Sequence, residues 1–361
     1  MRLKKKEHRN MATNSNLQMS RAGKTDEFYT QLTTIEDELR HYRKYFNNKI
    51  VFCNCDDPYE SNFFKYFALN FNALHLKKLI TTCYATSPIM YSQMSLFDDE
   101  NVVYEVNSER KPYKIEITEI RDSDGNNTID LSDVTELLKN DKNVLTILKG
   151  DGDFRSEECV QLLDEADIVV TNPPFSLMKE YLPLLVNKEK KFIILGNMNH
   201  ATWAETFPYF IENKVWLGVN SGHFWFKVPD YYEAKNTDFK QDESGQKWRR
   251  LGNICWFTNL DIKARHIPLD LYKKYTPEEY PCYDTYNAID CGLVQDIPCD
   301  TDKTIGVPLT FLSKYCKEQF RIVGELHTGS GNEYDFAFPK VNGKNKYIRI
   351  LIQHINPQKE I

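Results

Sequence analysis

The stretch Asp167-Ile168-Val169-Val170-Thr171-Asn172-Pro173-Pro174-Phe175 decides how this chain is read. Ile168, Val169 and Val170 form a short apolar run rich in β-branched side chains, the composition of a strand buried on both faces. Asn172-Pro173-Pro174 follows at once. Two successive prolines lack the N–H groups that would continue a central strand or open a fully bonded helix. A stiff, extended turn is therefore expected at the carboxyl end of a strand, where open α/β sheets bind their ligands.

The tetrapeptide has a specific chemistry. Asn172 offers an amide oxygen, and Pro173, which cannot donate, still offers its carbonyl. Two acceptors held rigidly together can grip both hydrogens of an exocyclic amino group. They stabilise the positive charge that grows on its nitrogen as it attacks an electrophile. Phe175 supplies a ring on which a base can stack. The plainer reading is a proline-rich loop with Asn172 as a turn former. The buried strand before it and the aromatic after it favour the functional reading.

Asn-Pro-Pro-Phe after a strand resembles the catalytic motif of S-adenosylmethionine-dependent amino methyltransferases. KTDEFYTQ at Lys24–Gln31, VFCNCDDP at Val51–Pro58, GDGDFRS at Gly150–Ser156 and TNPPFS at Thr171–Ser176 appear in that order. With them the chain resembles the EcoRI-type adenine-specific DNA methyltransferase family, from about Lys24 to near its C-terminus. The resemblance implies S-adenosylmethionine as cofactor, duplex DNA as partner and N6 of a flipped-out adenine as the acceptor. It implies catalytic roles for Asn172, Pro173, Pro174 and Phe175. Phe28, Tyr29 and Thr30 would line the pocket for the methionine part of the cofactor. Asp153 would accept from the cofactor adenine and Phe154 would pack on its ring, with Asn172 bordering the same pocket. A short palindrome such as GAATTC, a monomeric enzyme and a restriction endonuclease acting on the same site complete the expectation.

Composition sets outer bounds. At 361 residues, with 41% hydrophobic and 13% aromatic side chains, the chain can hold one large α/β domain and a smaller one. No run resembles a membrane span of about 18 apolar residues. The basic N-terminus lacks the apolar stretch of a secretory signal. Nine cysteines without framework spacing fit reduced thiols in a cytoplasm. The net charge of −6 argues mildly against nucleic acid, so DNA binding would need a local basic face. Arg2–Arg9 and Lys247-Trp248-Arg249-Arg250 are the candidates, with a solvated tail or loop as the plainer reading of each; the first is equally either, whereas Trp248 interleaves an aromatic and favours DNA contact for the second.

Residues 1–23 are polar and expected to be disordered. Thr33 and Glu36 have capping-box spacing before a helix whose apolar face is Ile35, Leu39, Tyr42 and Phe46. Ile50–Cys53 reads as a strand and Phe63, Phe67, Phe71 and Leu74 as a helix, so Cys55, Asp56, Asp57 and Pro58 lie in a first crossover loop. The Gly-rich turn usual in methyltransferases is absent there. An aspartate in its place could meet the cofactor's ammonium or sulfonium charge. Cys53-x-Cys55 lacks a second ligand pair, and no metal is expected. Lys78–Tyr84 reads as a second strand without the acidic residue that commonly binds ribose. Residues 85–143 look like an insertion, with a hairpin over Val102–Val106 and Tyr113–Ile117, a turn at Asp124-Gly125 and a helix over Asp130–Lys139. Val144–Leu148 reads as a third strand, leading to a Gly-rich turn whose aspartates alternatively cap the helix near Glu157.

Beyond the central motif the pattern predicts a helix over Leu177–Val186 broken by Pro183, a strand over Phe192–Leu195, a helix over Trp203–Asn213 and a strand over Val215–Val219. Strands alternating with helices predict a doubly wound, largely parallel Rossmann-like sheet for residues 24–219. From residue 220 the texture becomes aromatic and irregular, around Tyr280, Tyr283 and Tyr286, with strands at Ile254–Thr258 and Ile348–Ile352. Residues 220–361 are expected to be a target-recognition region that partly completes the catalytic domain. Two alternatives stay open: methylation of RNA or of a protein glutamine, and a DNA-binding protein with a degenerate cofactor site.

Overall fold

The computed structural model describes residues 29–55, 61–83, 112–123, 125–126, 129–140, 145–228, 238–327 and 329–358. Phe28, Asp56, Asp57, Pro58, the basic cluster Arg2–Arg9, the 1–23 arm, Val102–Val106, Asp124 and most of the expected insertion lie outside them.

The main sheet holds β1 (Tyr29–Thr30), β2 (Ile50–Cys53), β3 (Lys78–Thr82), β4 (Tyr113–Ile117), β5 (Leu145–Ile147), β6 (Ile168–Thr171), β7 (Lys191–Asn197), β8 (Trp216–Lys227), β9 (Phe239–Gln241) and β10 (Lys247–Thr258). The order is β1-β8-β10-β7-β6-β2-β3-β4-β5, with β9 on β10. Only β7, β6, β2 and β3 run mutually parallel. Antiparallel strands flank them on both sides. The sheet is thus partly, not largely, parallel. The expected third strand reaches its place through β4, which pairs antiparallel with both β3 and β5. An extra strand in that connection turns what would be a parallel step into two antiparallel ones.

The parallel strands are apolar at their centres, and their side chains alternate between two layers of core. Phe52, Ile80, Val169 and Ile194 face one layer. Val51, Leu79, Val170 and Ile193 face the other. Helices α1 (Leu32–Leu39), α2 (Asn62–Leu69) and α3 (Leu131–Asn140) precede helices α4 (Glu157–Glu165), α5 (Met178–Asn187) and α6 (Phe207–Ile211) along the chain. Ile35, Leu39, Tyr42 and Phe46 are fully buried, the face their spacing predicts. Thr33 is not the cap of α1. Pairing of β1 with β8 holds the chain extended to Gln31, which becomes the N-cap, and Thr33 falls inside the first turn. Ser61 caps α2 and Ser156, not an aspartate, caps α4. Pro183 does not break α5. Met178, Tyr181, Leu182 and Leu185 are buried, and their packing carries the helix through one missing hydrogen bond. Pro208 sits in the first turn of α6, where no N–H is needed, and that helix is shorter than expected.

Strand β8 runs through the limit expected at residues 219/220, so the sheet continues to Thr258. Past it, β11 (Ile289–Asp290), β12 (Ile305–Pro308), β13 (Phe320–Leu326) and β16 (Arg349–His354) form a second sheet in the order β11-β12-β16-β13. The hairpin β14 (Lys340–Val341) and β15 (Lys344–Asn345) stands apart from it. Ile289, Ile305, Val307, Ile322, Ile350 and Ile352 share one core layer with α5 and β7, which fixes the second sheet against the first.

Candidate active site

The central motif leaves the sheet at the carboxyl end of β6, as its composition requires. Val169 and Val170 are fully buried, Pro173 is buried, and Asn172 and Pro174 are half-buried. Pro174 is extended (φ −55°, ψ 123°) and Phe175 opens a short 3-10 turn leading into α5. The Thr171 hydroxyl donates to the Asn54 carbonyl, just past the end of the neighbouring parallel strand β2. On the next strand, the Thr81 hydroxyl donates to the Cys53 carbonyl at 3.1 Å. These two bonds tie the Asn-Pro-Pro turn and the end of β3 to the first crossover loop. Cys55 in that loop adopts φ 66° and turns its thiol to the Asn54 amide oxygen at 3.2 Å.

Phe175 is 8% exposed, and its ring meets the edge of His200 at 5.5 Å. His200 is fully buried, with its ring 4.4 Å from Trp203. Its Nδ1 accepts the Asn197 N–H at 3.2 Å, which assigns the proton to Nε2. Burial drives its pKa down to about 3, so the wall behind Phe175 is uncharged at neutral pH.

Asp153 and Phe154 lie between β5 and α4. Arg155 grips both carboxylate oxygens of Asp153, at 2.8 and 2.7 Å, and also reaches Glu180 at 2.6 Å. The Arg155 guanidinium holds the Asp153 carboxyl below its usual range. Oδ1 also accepts the Arg155 backbone N–H at 2.8 Å, so the lone pair left for a ligand donor is on Oδ2. Phe154 is 3% exposed and packs edge-on against Tyr181 at 5.0 Å. The Thr30 carbonyl, at the end of β1, accepts from Asn62, the first residue of α2, at 2.7 Å.

Several buried polar atoms lack a hydrogen-bond partner among the described residues, and three of them, Thr30 Oγ1, Asn54 Nδ2 and Thr82 Oγ1, stand at the ends of β1, β2 and β3. Orphaned buried groups of this kind are costly and call for a polar ligand. The residues present therefore fit a cofactor rich in hydroxyls, amines and carboxylate. Asn54 lies within the VFCNCDDP motif without having been singled out, and Thr82 carries no motif signal.

Lys247, Trp248, Arg249 and Arg250 are not a loop but the start of β10. Ile254 pairs with Asn197, the last residue of β7. His223–Lys227 and Lys247–Leu251 therefore extend past the carboxyl ends of the parallel strands, by about 15 Å at ~3.3 Å per residue. Thr30, Phe226, Arg249 and Phe239 form one row across this overhang. Lys240 lies over the rings of Trp225 and Trp248, at 4.5 and 5.8 Å. Arg250 lies 5.8 Å from Trp225 and pairs with Asp238 at 2.8 Å. Trp225 and Lys240 were not singled out by sequence, because they are far from the basic tetrad until β8 and β9 pair with β10.

Burial and pairing account for the remaining sequence signals. Tyr280 and Tyr283 are buried; Tyr280 donates to the Asp296 carbonyl and Tyr283 to Asp290. Among the described residues no helix is long and apolar enough to cross a membrane.

Comparison with known proteins agrees with this geometry. Residues 16–355 match the family described as adenine-specific methyltransferase EcoRI. The type II methyltransferase M.EcoRI of Escherichia coli is 42% identical over 352 residues, covering 96% of this chain and 99% of that protein. M.MgeORF184P of Mycoplasma genitalium is 34% identical, covering 92% and 97%. M.MpnI of Mycoplasma pneumoniae is 32% identical, covering 92% and 96%. No solved structure matches. The chain belongs to the EcoRI-type family and is an adenine-specific DNA methyltransferase.

Proposed function

We propose that this chain uses S-adenosylmethionine to methylate N6 of an adenine flipped out of duplex DNA. The observation that carries the reading is the Thr171–Asn54 bond, which joins the Asn-Pro-Pro turn to a loop flanked by orphaned buried polar groups. Thr30, Asn54, Cys55, Thr82, Asp153 and Phe154 are the described residues that would hold the cofactor. Phe28, Tyr29, Asp56, Asp57 and Pro58 are assigned by motif. The cofactor supplies an activated methyl group.

The chain's own residues supply position and electrostatics. Asn172 Oδ1 and the Pro173 carbonyl accept the two N6 hydrogens, which frees the nitrogen lone pair from ring conjugation. Pro174 stiffens the turn. Phe175, held by the neutral His200, takes the face of the adenine. Base flipping is needed because N6 is unreachable in the stacked pair. The overhang of β8 and β10, with Lys247, Trp248, Arg249 and Arg250, would carry the duplex, and residues 220–361 would choose the sequence. A palindrome such as GAATTC, action as a monomer in the cytoplasm and a partner endonuclease belong to the same reading.

The test is transfer of tritium from labelled S-adenosylmethionine to unmethylated duplex DNA, followed by nucleoside analysis. The expected product is N6-methyldeoxyadenosine. Label in another base, or none in DNA, would refute the reading.

A further inference from the structure

We propose that the hairpin β14–β15 and its flanks form a second DNA-contacting surface, separate from the overhang of β8–β10. The inference rests on the DNA methyltransferase reading. Among the described residues most large aromatic side chains are buried, yet three lie near one another in sequence here in the open: Phe336 is 42%, Phe338 55% and Tyr347 90% exposed. Lys340, Lys344 and Lys346 lie between Phe338 and Tyr347. Lys346 pairs with Asp290 at 3.5 Å. Lys340 and Lys344 meet no carboxylate within ion-pair distance among the described residues. Cations flanked by exposed rings match a polyanion whose bases present flat faces.

The surface is also held rigid, which an unused patch does not need. The tip Asn342-Gly343 has φ 49° and 74°, a conformation suited to a tight hairpin. Both tip N–H groups donate to the Asp284 carboxylate, at 3.0 and 2.8 Å. The Asp284 N–H donates to the Lys340 carbonyl at 2.8 Å, and the Thr285 hydroxyl to the Phe338 carbonyl at 2.5 Å. Phe336 stacks flat on Tyr286 at 5.1 Å and 8°.

A flank of the hairpin leads toward the candidate site by short steps: the Phe336 N–H donates to the Glu325 carbonyl at 3.1 Å. The Glu325 N–H donates to the Tyr334 carbonyl, and the Tyr334 ring meets Phe207 at 6.2 Å. The adjacent Thr206 hydroxyl donates to the His200 carbonyl, and His200 backs Phe175. Lysines on phosphates and rings against exposed base faces would thus act on a frame fixed to the base-holding wall.

The test uses the full-length protein saturated with cofactor and a fluorescein-labelled unmethylated duplex that it methylates. Anisotropy is read across a potassium chloride series. Lys340→Gln with Lys344→Gln should flatten the slope of log affinity against log salt by about 1.8, two phosphates at ~0.9 each. Phe338→Ala with Tyr347→Ala should weaken binding about tenfold or more at unchanged slope. All four side chains are exposed or half-buried, so melting temperature should hold and serve as the folding control. Wild-type affinity and slope in both variants overturn the proposal. So does a change in sedimentation without a change in DNA affinity, which would make the patch a contact between copies. A wild-type chain that does not bind the duplex overturns this surface and the methyltransferase reading together.

Discussion

The chain is constrained on both sides of Asn172. Two prolines stiffen the chain after it, and Thr171 anchors the chain before it to the Asn54 carbonyl. Replacing Thr171 by valine keeps the shape and deletes that donor. The buried Asn54 carbonyl is then left without it, at a cost of about 1–3 kcal/mol. A lower melting temperature and weaker binding of labelled cofactor are expected together. An unchanged cofactor affinity would mean that the two loops act independently. At this scale the sequence was readable where chemistry is local: Asn-Pro-Pro-Phe announces itself. Thr82 and His200 did not, because a lone polar residue near a strand end has no pattern until its neighbours are in place.

Elements explain how the turn is kept in register. β6 pairs with β7 through Thr171 and Ile194, and Gly196 follows two residues on. A Cβ on Gly196 would stand 2.8 Å from Met178 Cε and from Phe257 Cε2. Phe257 is fully buried and cannot swing away. Gly196→Ala should therefore cost about 1–3 kcal/mol through overpacking, read as a lower denaturant midpoint with unchanged slope. Most strands and helices were legible, because period and composition mark them directly. The departures have one cause, which is tertiary pairing outweighing local signals. Pro183 stays inside α5, Gln31 displaces Thr33 as cap, and Lys247–Arg250 pass from apparent loop to strand because β8 lies beside them. Tyr113–Ile117 was readable as a strand of a hairpin, but its insertion between β3 and β5 was not, since strand order is set by a connection that carries no periodic signal.

The whole molecule joins a methyltransferase sheet to a second sheet whose inner charges are few. Glu325 on β13 is fully buried, and burial pushes its pKa up to about 7. In the unfolded chain the same carboxyl ionises near its ordinary value of 4.5. The proton is thus held more tightly by the folded state. Its stabilising contribution is complete below pH 4.5 and is lost as pH rises through about 7. Glu325→Gln keeps an acceptor for Asn332 and cannot ionise. The variant should lose less melting temperature than the wild type between pH 5 and pH 8, at roughly the spacing of those two values. Equal losses in both proteins would show that Glu325 does not titrate in that window. The joining of the two sheets was not visible from sequence, because it rests on apolar side chains scattered from α5 to β16.

The central claim is that Asn172 and the Pro173 carbonyl hold the acceptor amino group. Its most direct test is single-turnover methyl transfer to unmethylated duplex DNA by wild type and Asn172→Ala, with cofactor binding measured in the same samples. The account predicts a rate loss of about 100-fold or more with cofactor affinity kept within a few-fold. A variant that binds cofactor and transfers the methyl group at the wild-type rate would contradict it.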